Sequence, residues 1–570
     1  MTTYRPTITG AKHMISAGHY SATHAGFQIL EAGGNAIDAG VAAGMALGIL
    51  QTDRVNFAGV APIMMYLADK REVINIDGLG TWPKAASVQY FHDHHGGKMP
   101  PGILRTVMPA APASWIMALE RYGTMSFGEV AREATRLARE GFAMHAFMRD
   151  YIADHEASYR RWPSSAAVFL PKGRPPNVGE RFVQAELAAS LQYMADEEAA
   201  HKGKGRAAGL KAARDAFYKG DIAQKIAQYH KDNGGWVTAG DLASYEVSFE
   251  QPVRTQFQGI DLYACGPWSQ GPVLPQTLNL LSGIDLKAMG HNSAAYVHTI
   301  AEALKLSLAD RQRYYGDPKF VKVPLDTLLS ADYAAQRRKL IRADAAEPGL
   351  PAAGDIAGYP PMIPLPPVTP GDPNPPADTS FVCVIDQHGN AFAATPSDGS
   401  SAMPVIPGTG FCPSSRGSQS WTHPQHPAVM APGKRPRLTP NPALTMKDGK
   451  VFMPFGSPGN DIQPQAMTQV FLNVVLWDME PQAAVEAPRF ATYSFPSSSE
   501  PHAYHPGRLN LESRFDKRVF DQLAKLGHHV APWQALEWRA GAVCAIRVNE
   551  ANGLLEGAAD PRRPCYAMGI

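Results

Sequence analysis

A mixed α+β protein is predicted by three features of this 570-residue sequence. Several long windows in the first two-thirds have helical periodicity; a proline-dense stretch then interrupts all periodicity, and short apolar runs around turn residues follow. With 45% hydrophobic and 18% charged residues, the chain has material for a large core. Its length allows roughly three to four domain-sized units.

Taken in order, "AGGNAIDAGVAAGMALGILQ" reads as a helix starting at Asn35, an N-cap placed after two glycines. "IMMYLADKREVINID", residues 63–77, reads as a hairpin turning at Asp69–Lys70. Helical spacing returns in "APASWIMALERYG", "SFGEVAREATRLAREGFAM" and "AAYVHTIAEALKLSLADRQRYYGD". Residues 345–378 carry eleven prolines and no periodicity, which marks them as a linker or mobile tail. After it, "SFVCVID" and "AFAAT" flank an "HGN" turn, and "ALTM" and "VFMPF" flank "KDGK". These runs are apolar throughout, as expected of strands buried on both faces. A last helix is expected at "PQAMTQVFLNVVLWDM", with Pro464 where a missing N–H costs nothing.

The net charge of +1 gives no electrostatic reason to bind nucleic acid or an anionic membrane, so small neutral or singly charged partners are expected. The longest apolar run, "AGVAAGMALGIL" at 39–50, is too short to span a bilayer. The N-terminal residues lack the pattern of a secretory leader. Five scattered cysteines without a CxxC pair fit a reducing, cytoplasmic setting rather than a disulfide framework or a zinc module.

Familiar cofactor motifs are missing. "GKGRAAG" at 203–209 has one residue too many for a dinucleotide fingerprint, and neither a Walker A sequence nor H-E-x-x-H occurs. "HDHHGG" at 92–97 reads better as a solvated loop than as a metal site. No cofactor and no metal are therefore expected.

One chemistry explains why a threonine follows the proline segment. A cut between Asp378 and Thr379 would give Thr379 a free α-amine, ordinarily of pKa about 7.7–8.0, next to its own hydroxyl. The threonine would then carry its own base. A plain strand start at Thr379 is the competing reading. In "VFMPFGSPGNDIQPQAM", residues 451–467, a strand leads through a glycine turn into a helix. Such a junction presents main-chain N–H groups and a positive helix end, the makings of an oxyanion hole, although a simple tight turn has the same sequence.

The chain resembles the γ-glutamyltranspeptidase superfamily of N-terminal nucleophile hydrolases over nearly its whole length. The segments that carry the likeness include "LEAGGNAIDAGVAAGMALGI", "CGPWSQGPVLPQTLNLLSG", "TSFVCVIDQHGNAFAAT" and "APGKRPRLTPNPALTMKDGKVFMPFGSPG". The resemblance implies a four-layer αββα sandwich that cuts itself before Thr379. Residues 1–378 would become a large subunit ending in the tail 345–378, and residues 379–570 a small one interlocked with it. A heterotetramer of two such pairs is one assembly open to it. By position, Thr379 matches the nucleophile, Ser397 a supporting hydroxyl, and Gly459 with Asn460 the oxyanion pair.

The family's glutamate readers are not kept. Leu79 stands in place of an arginine, Leu438 and Thr439 in place of two serines, and Gly399 in place of an asparagine. "SSRGSQS" at 414–420 replaces the motif that holds the α-amino group, and brings Arg416 as a candidate carboxylate anchor with Arg437 as its competitor. The "RGS" form is similar to a branch that includes amidohydrolases of small acids such as oxamate. The expected function is hydrolysis of a small amide through an acyl-enzyme. The alternatives are a γ-glutamyl hydrolase or transferase, a cephalosporin-acylase-like amidase, and a catalytically silent scaffold.

Overall fold

The computed structural model describes residues 3–373 and 379–570. Asp378, one side of the expected cut, lies outside the described residues. Among them, two seven-stranded sheets form the centre. The first runs, in spatial order, Tyr566–Gly569, Met14–Ala17, Val382–Ile385, Ala391–Ala394, Ile63–Leu67, Glu72–Ile76 and Phe249–Glu250. The second runs Ile8–Gly10, Leu555–Ala559, Cys544–Val548, Lys450–Gly456, Ala443–Lys447, Ile260–Ala264 and Val253–Phe257. Neighbouring strands are antiparallel in both.

Strand alternation divides the core into layers. Val382 and Val384 face outward to a helical layer with Ile15, Met65 and Phe392. Cys383 and Ile385, pointing the other way, pack between the sheets with Met64, Ala393, Leu444 and Ile546. The outer face of the second sheet supplies Leu262, Met453 and Phe455 to a third cluster with helices Val273–Leu281, Ala294–Tyr314 and Gln463–Val475. The order is helix, sheet, sheet, helix: the αββα sandwich the resemblance implied. Each sheet mixes strands from before residue 373 with strands from after 379, so neither part has a complete core without the other.

Local signals explain several elements. Asn35 caps Ala36–Leu50 in a capping box with Asp38. The hairpin 63–76 forms as read. "HDHHGG", expected as a loop, is instead the last turn of helix Val88–His95, because Ser87 caps its start and Gly96 at φ 58° closes its end. Helix Gln463–Val475 has its proline in the first turn as expected, but it is not the last helix: Pro481–Glu486 and Lys517–Lys525 follow.

The proline-dense stretch has no helix or strand over its described part, 345–373, yet it is held in place. Arg313 donates to the carbonyls of Gly354 and Pro360, both at 2.9 Å, Asp310 accepts from Gly354 N–H at 2.8 Å, and Arg508 pairs with Asp372 at 2.6 Å. Prolines remove backbone donors, and side chains of the folded body supply the missing bonds.

A buried ion cluster also joins parts from either side of residue 378. Arg435 bonds Asp77 at 2.9 Å, Glu250 at 2.7 Å and Asp317 at 2.8 Å. Arg435→Ala would leave these carboxylates without their cation, and should cost about 3–5 kcal/mol, read as a lowered urea midpoint. An unchanged midpoint would show that the cluster is dispensable.

Candidate active site

The hairpin Val382–Ile385 and Ala391–Ala394 pairs Val382 with Ala394. Carried outward in the same register, it sets Thr379 against Ser397 in an isolated antiparallel bridge. Their hydroxyls meet at 2.7 Å, Thr379 Oγ1 to Ser397 Oγ. Ser397 is fixed on its other edge by Val60, and there the chains lie so close that a side chain at Gly59 would sit 2.2 Å from the Ser397 carbonyl oxygen. Only glycine fits that approach.

Arg416, on the short 3₁₀ turn Arg416–Gln419, donates from Nη2 to Ser397 Oγ. The turn is anchored through Asp398, whose carboxylate accepts from Ser414 Oγ at 2.6 Å and from Ser415 N–H at 3.0 Å, with Arg416 Nε at 3.8 Å. Asp398 has φ 128°, a conformation costly for a non-glycine residue and kept here by those bonds. Thr379, Ser397 and Arg416 thus form one buried polar chain, each no more than 4% exposed.

Gly459 and Asn460 open the turn into helix Gln463–Val475, both in left-handed conformations, at φ 124° and 50°. Gln463, the first residue of that helix, reaches Thr379 Oγ1 at 3.5 Å, which brings the turn to the threonine. Gln270 holds it from behind, donating to the carbonyls of Asn460 at 2.7 Å and Thr439 at 3.0 Å. Thr439 is gripped by Gln419, whose amide donates to its hydroxyl at 2.8 Å and accepts from its N–H at 3.2 Å.

The other candidates are placed differently. Leu79 and Leu438 are apolar packing residues between the sheets, beside Trp268 and Phe381. Gly399 is buried in the irregular segment that follows Asp398. Arg437 points to helix Ala294–Tyr314, donating to the Arg311 carbonyl at 3.1 Å and to Gln312 Oε1 at 3.3 Å. Burial and the neighbouring Arg311 push its pKa well below the usual arginine range. Among the two arginines, Arg416 is the one at the threonine.

Sequence reasoning passed over Arg563, Arg54 and Gln463. Arg563 Nη1 donates to the Thr379 carbonyl at 3.4 Å, and both Arg563 and Arg54 lie over the rings of Phe147 and Trp538. None stands in a local motif with Thr379. The five cysteines are buried and free, and no helix among the described residues is long and apolar enough to cross a membrane.

Comparison with known proteins adds the following. The family model described as Gamma-glutamyltranspeptidase matches residues 22–570. The chain is similar to the acylase ACY 1 proenzyme of Pseudomonas sp. strain SE83, 33% identical over 98% of this chain and 93% of that one. It is similar to the oxamate amidohydrolase proenzyme of Klebsiella pneumoniae, 30% identical over 98% of each. Among solved structures it resembles the cephalosporin acylase from Bacillus halodurans, with TM-score 0.85 and 25% identity over 100% of this chain and 98% of that one.

Proposed function

We propose, for a chain that belongs to the γ-glutamyltranspeptidase family and is one of its amide hydrolases, that Thr379 is the nucleophile and that the substrate is a small amide bearing a carboxylate. The observation that carries this reading is the chain Thr379–Ser397–Arg416. It joins a nucleophilic hydroxyl to a guanidinium through one intervening oxygen.

The chemistry begins with the cut before Thr379, into segments 1–378 and 379–570, which the shared sheets would keep together. The released α-amine takes the Oγ1 proton as the oxygen attacks the substrate carbonyl. Arg416 donates to Ser397 Oγ and occupies one of its lone pairs; in the proposed active arrangement the Ser397 proton points to Thr379 Oγ1 and the Thr379 proton faces the amine. Main-chain N–H groups of Gly459 and Asn460 would receive the negative oxygen. The amine of the substrate leaves with the transferred proton, an ester to Thr379 remains, and water hydrolyses it to the acid and restores the hydroxyl.

Specificity follows from what surrounds this chain. A γ-glutamyl donor would bring an α-carboxylate to Leu79 and Leu438, both buried and apolar, and an ammonium to Gly399. Desolvation of both ends without partners disfavours it. Arg416 is suited to a carboxylate close to the scissile carbonyl, which agrees with the likeness to an oxamate amidohydrolase. The likeness to acylases supports a second reading, in which the amide is a larger one and the carboxylate belongs to its acyl part.

A panel of oxamate-type amides, acyl-β-lactam amides and a γ-glutamyl anilide tests this. The expected order of kcat/KM places carboxylate-bearing small amides first and the γ-glutamyl compound last. Efficient γ-glutamyl turnover would overturn the substrate reading.

The turn offers a separate test. Asn460→Gly keeps the N–H and suits φ 50°, so activity should hardly change. Gly459→Pro deletes a donor and cannot adopt φ 124°; it should lower kcat by at least about a hundred- to thousandfold. Equal activity in the proline variant would place the oxyanion site elsewhere.

A further inference from the structure

We propose that His298, Glu302 and His528 form a buried binding site for a divalent transition metal of the zinc class. The two histidines and the carboxylate offer ligand atoms that all lie within 4.8 Å of one another, and all three residues are buried. His298 and Glu302 are one turn apart on helix Ala294–Tyr314, so they share a face. His528 comes from the loop after helix Lys517–Lys525.

The surroundings orient these groups as metal ligands are oriented. His298 Nε2 lies 2.6 Å from the Arg342 carbonyl, so that nitrogen carries the proton and the Nδ1 lone pair faces the site. A ligating imidazole ordinarily donates its other N–H to a carbonyl in this way. Glu302 is held as well: Oε2 accepts from Glu347 N–H at 3.1 Å and Oε1 from Lys305 Nζ at 2.7 Å. A carboxylate keeps lone pairs beyond those two bonds.

His528 Nε2 donates to His298 Nδ1 at 2.9 Å, and among the described residues His528 Nδ1 is buried with no hydrogen-bond partner. Metal would take the place of the shared proton, which moves to His528 Nδ1, so binding changes the tautomer and releases no proton. Zinc–nitrogen bonds of about 2.0–2.1 Å require the two ring nitrogens to separate by only a few tenths of an ångström. The opposing factor is Lys305, a buried cation already on Glu302, which weakens the attraction for a second positive ion.

The consequence concerns the assembly of the halves. His298, Glu302, Arg342 and Glu347 precede residue 378 and His528 follows it, while Ala346 N–H already bonds the Leu526 carbonyl at 2.7 Å. Metal there would fasten the root of the proline-dense stretch to the C-terminal part of the fold.

The test uses the full-length protein, stripped with chelator and titrated with Co²⁺. Expected are visible Co²⁺ absorption bands, their displacement by stoichiometric Zn²⁺, and a raised melting temperature. His528→Gln and Glu302→Gln should lose the bands, and Lys305→Met should bind Co²⁺ more tightly than the parent. If His528→Gln does not fold, Lys305→Met decides: weaker or unchanged binding in it overturns the proposal. Absence of bands in the parent, or bands that survive in Glu302→Gln, overturns it too.

Discussion

Thr379→Ala is expected to remain one chain of 570 residues and to lose hydrolytic activity, with kcat falling on the order of 10⁶-fold, the scale seen when a nucleophile is removed. The reason is double: in the proposed mechanism the hydroxyl both opens the bond before it and attacks the substrate. Thr379→Ser keeps an oxygen in the place that bonds Ser397, so it should still cut and still hydrolyse, more slowly. Electrophoresis and a turnover assay on the two variants read this directly. An alanine variant that cuts, or that turns over the amide, would remove Thr379 from the mechanism.

The second large effect is at Arg416. Its loss should forfeit about 2–4 kcal/mol of carboxylate binding, roughly 30- to 800-fold in kcat/KM on an acidic amide, with Arg416→Lys restoring only part. Because Arg416 also donates to Ser397 Oγ, some of the loss should fall on kcat. A neutral amide of the same size separates the two roles. If Arg416 reads a carboxylate, the neutral substrate should suffer much less than the acidic one in Arg416→Ala. Equal losses on both would assign Arg416 to holding Ser397 alone. No loss on either would leave Arg437, or no arginine at all, as the anchor.

How much of this was legible in the sequence depends on the distance over which each signal acts. The cap at Asn35 and the hairpin at 63–76 rest on neighbouring residues and were readable. The pairing of Thr379 with Ser397 was implicit in the turn "HGN", since the hairpin register fixes which residues face one another. The proline-dense stretch was legible only in part: prolines announce the lack of helix and strand, but not that Arg313 and Asp310 would supply bonds to its backbone. The polar run "HDHHGG" has the composition of a solvated loop, whereas the caps at Ser87 and Gly96, on either side of Val88–His95, make it a helix end. Arg563, Gln463 and the histidine pair were not legible at all; His298 and His528 are 230 positions apart and meet only through the packing of layers.

Whether this chain makes its own catalytic residue by cutting before Thr379 is read most directly from the intact mass of the purified protein together with sequencing of its N-termini. Fragments 1–378 and 379–570, the second beginning Thr-Ser-Phe-Val and labelled at its α-amine by an amine-reactive probe, are the expected result. A preparation that hydrolyses the amide at full rate while showing only the uncut mass would contradict it.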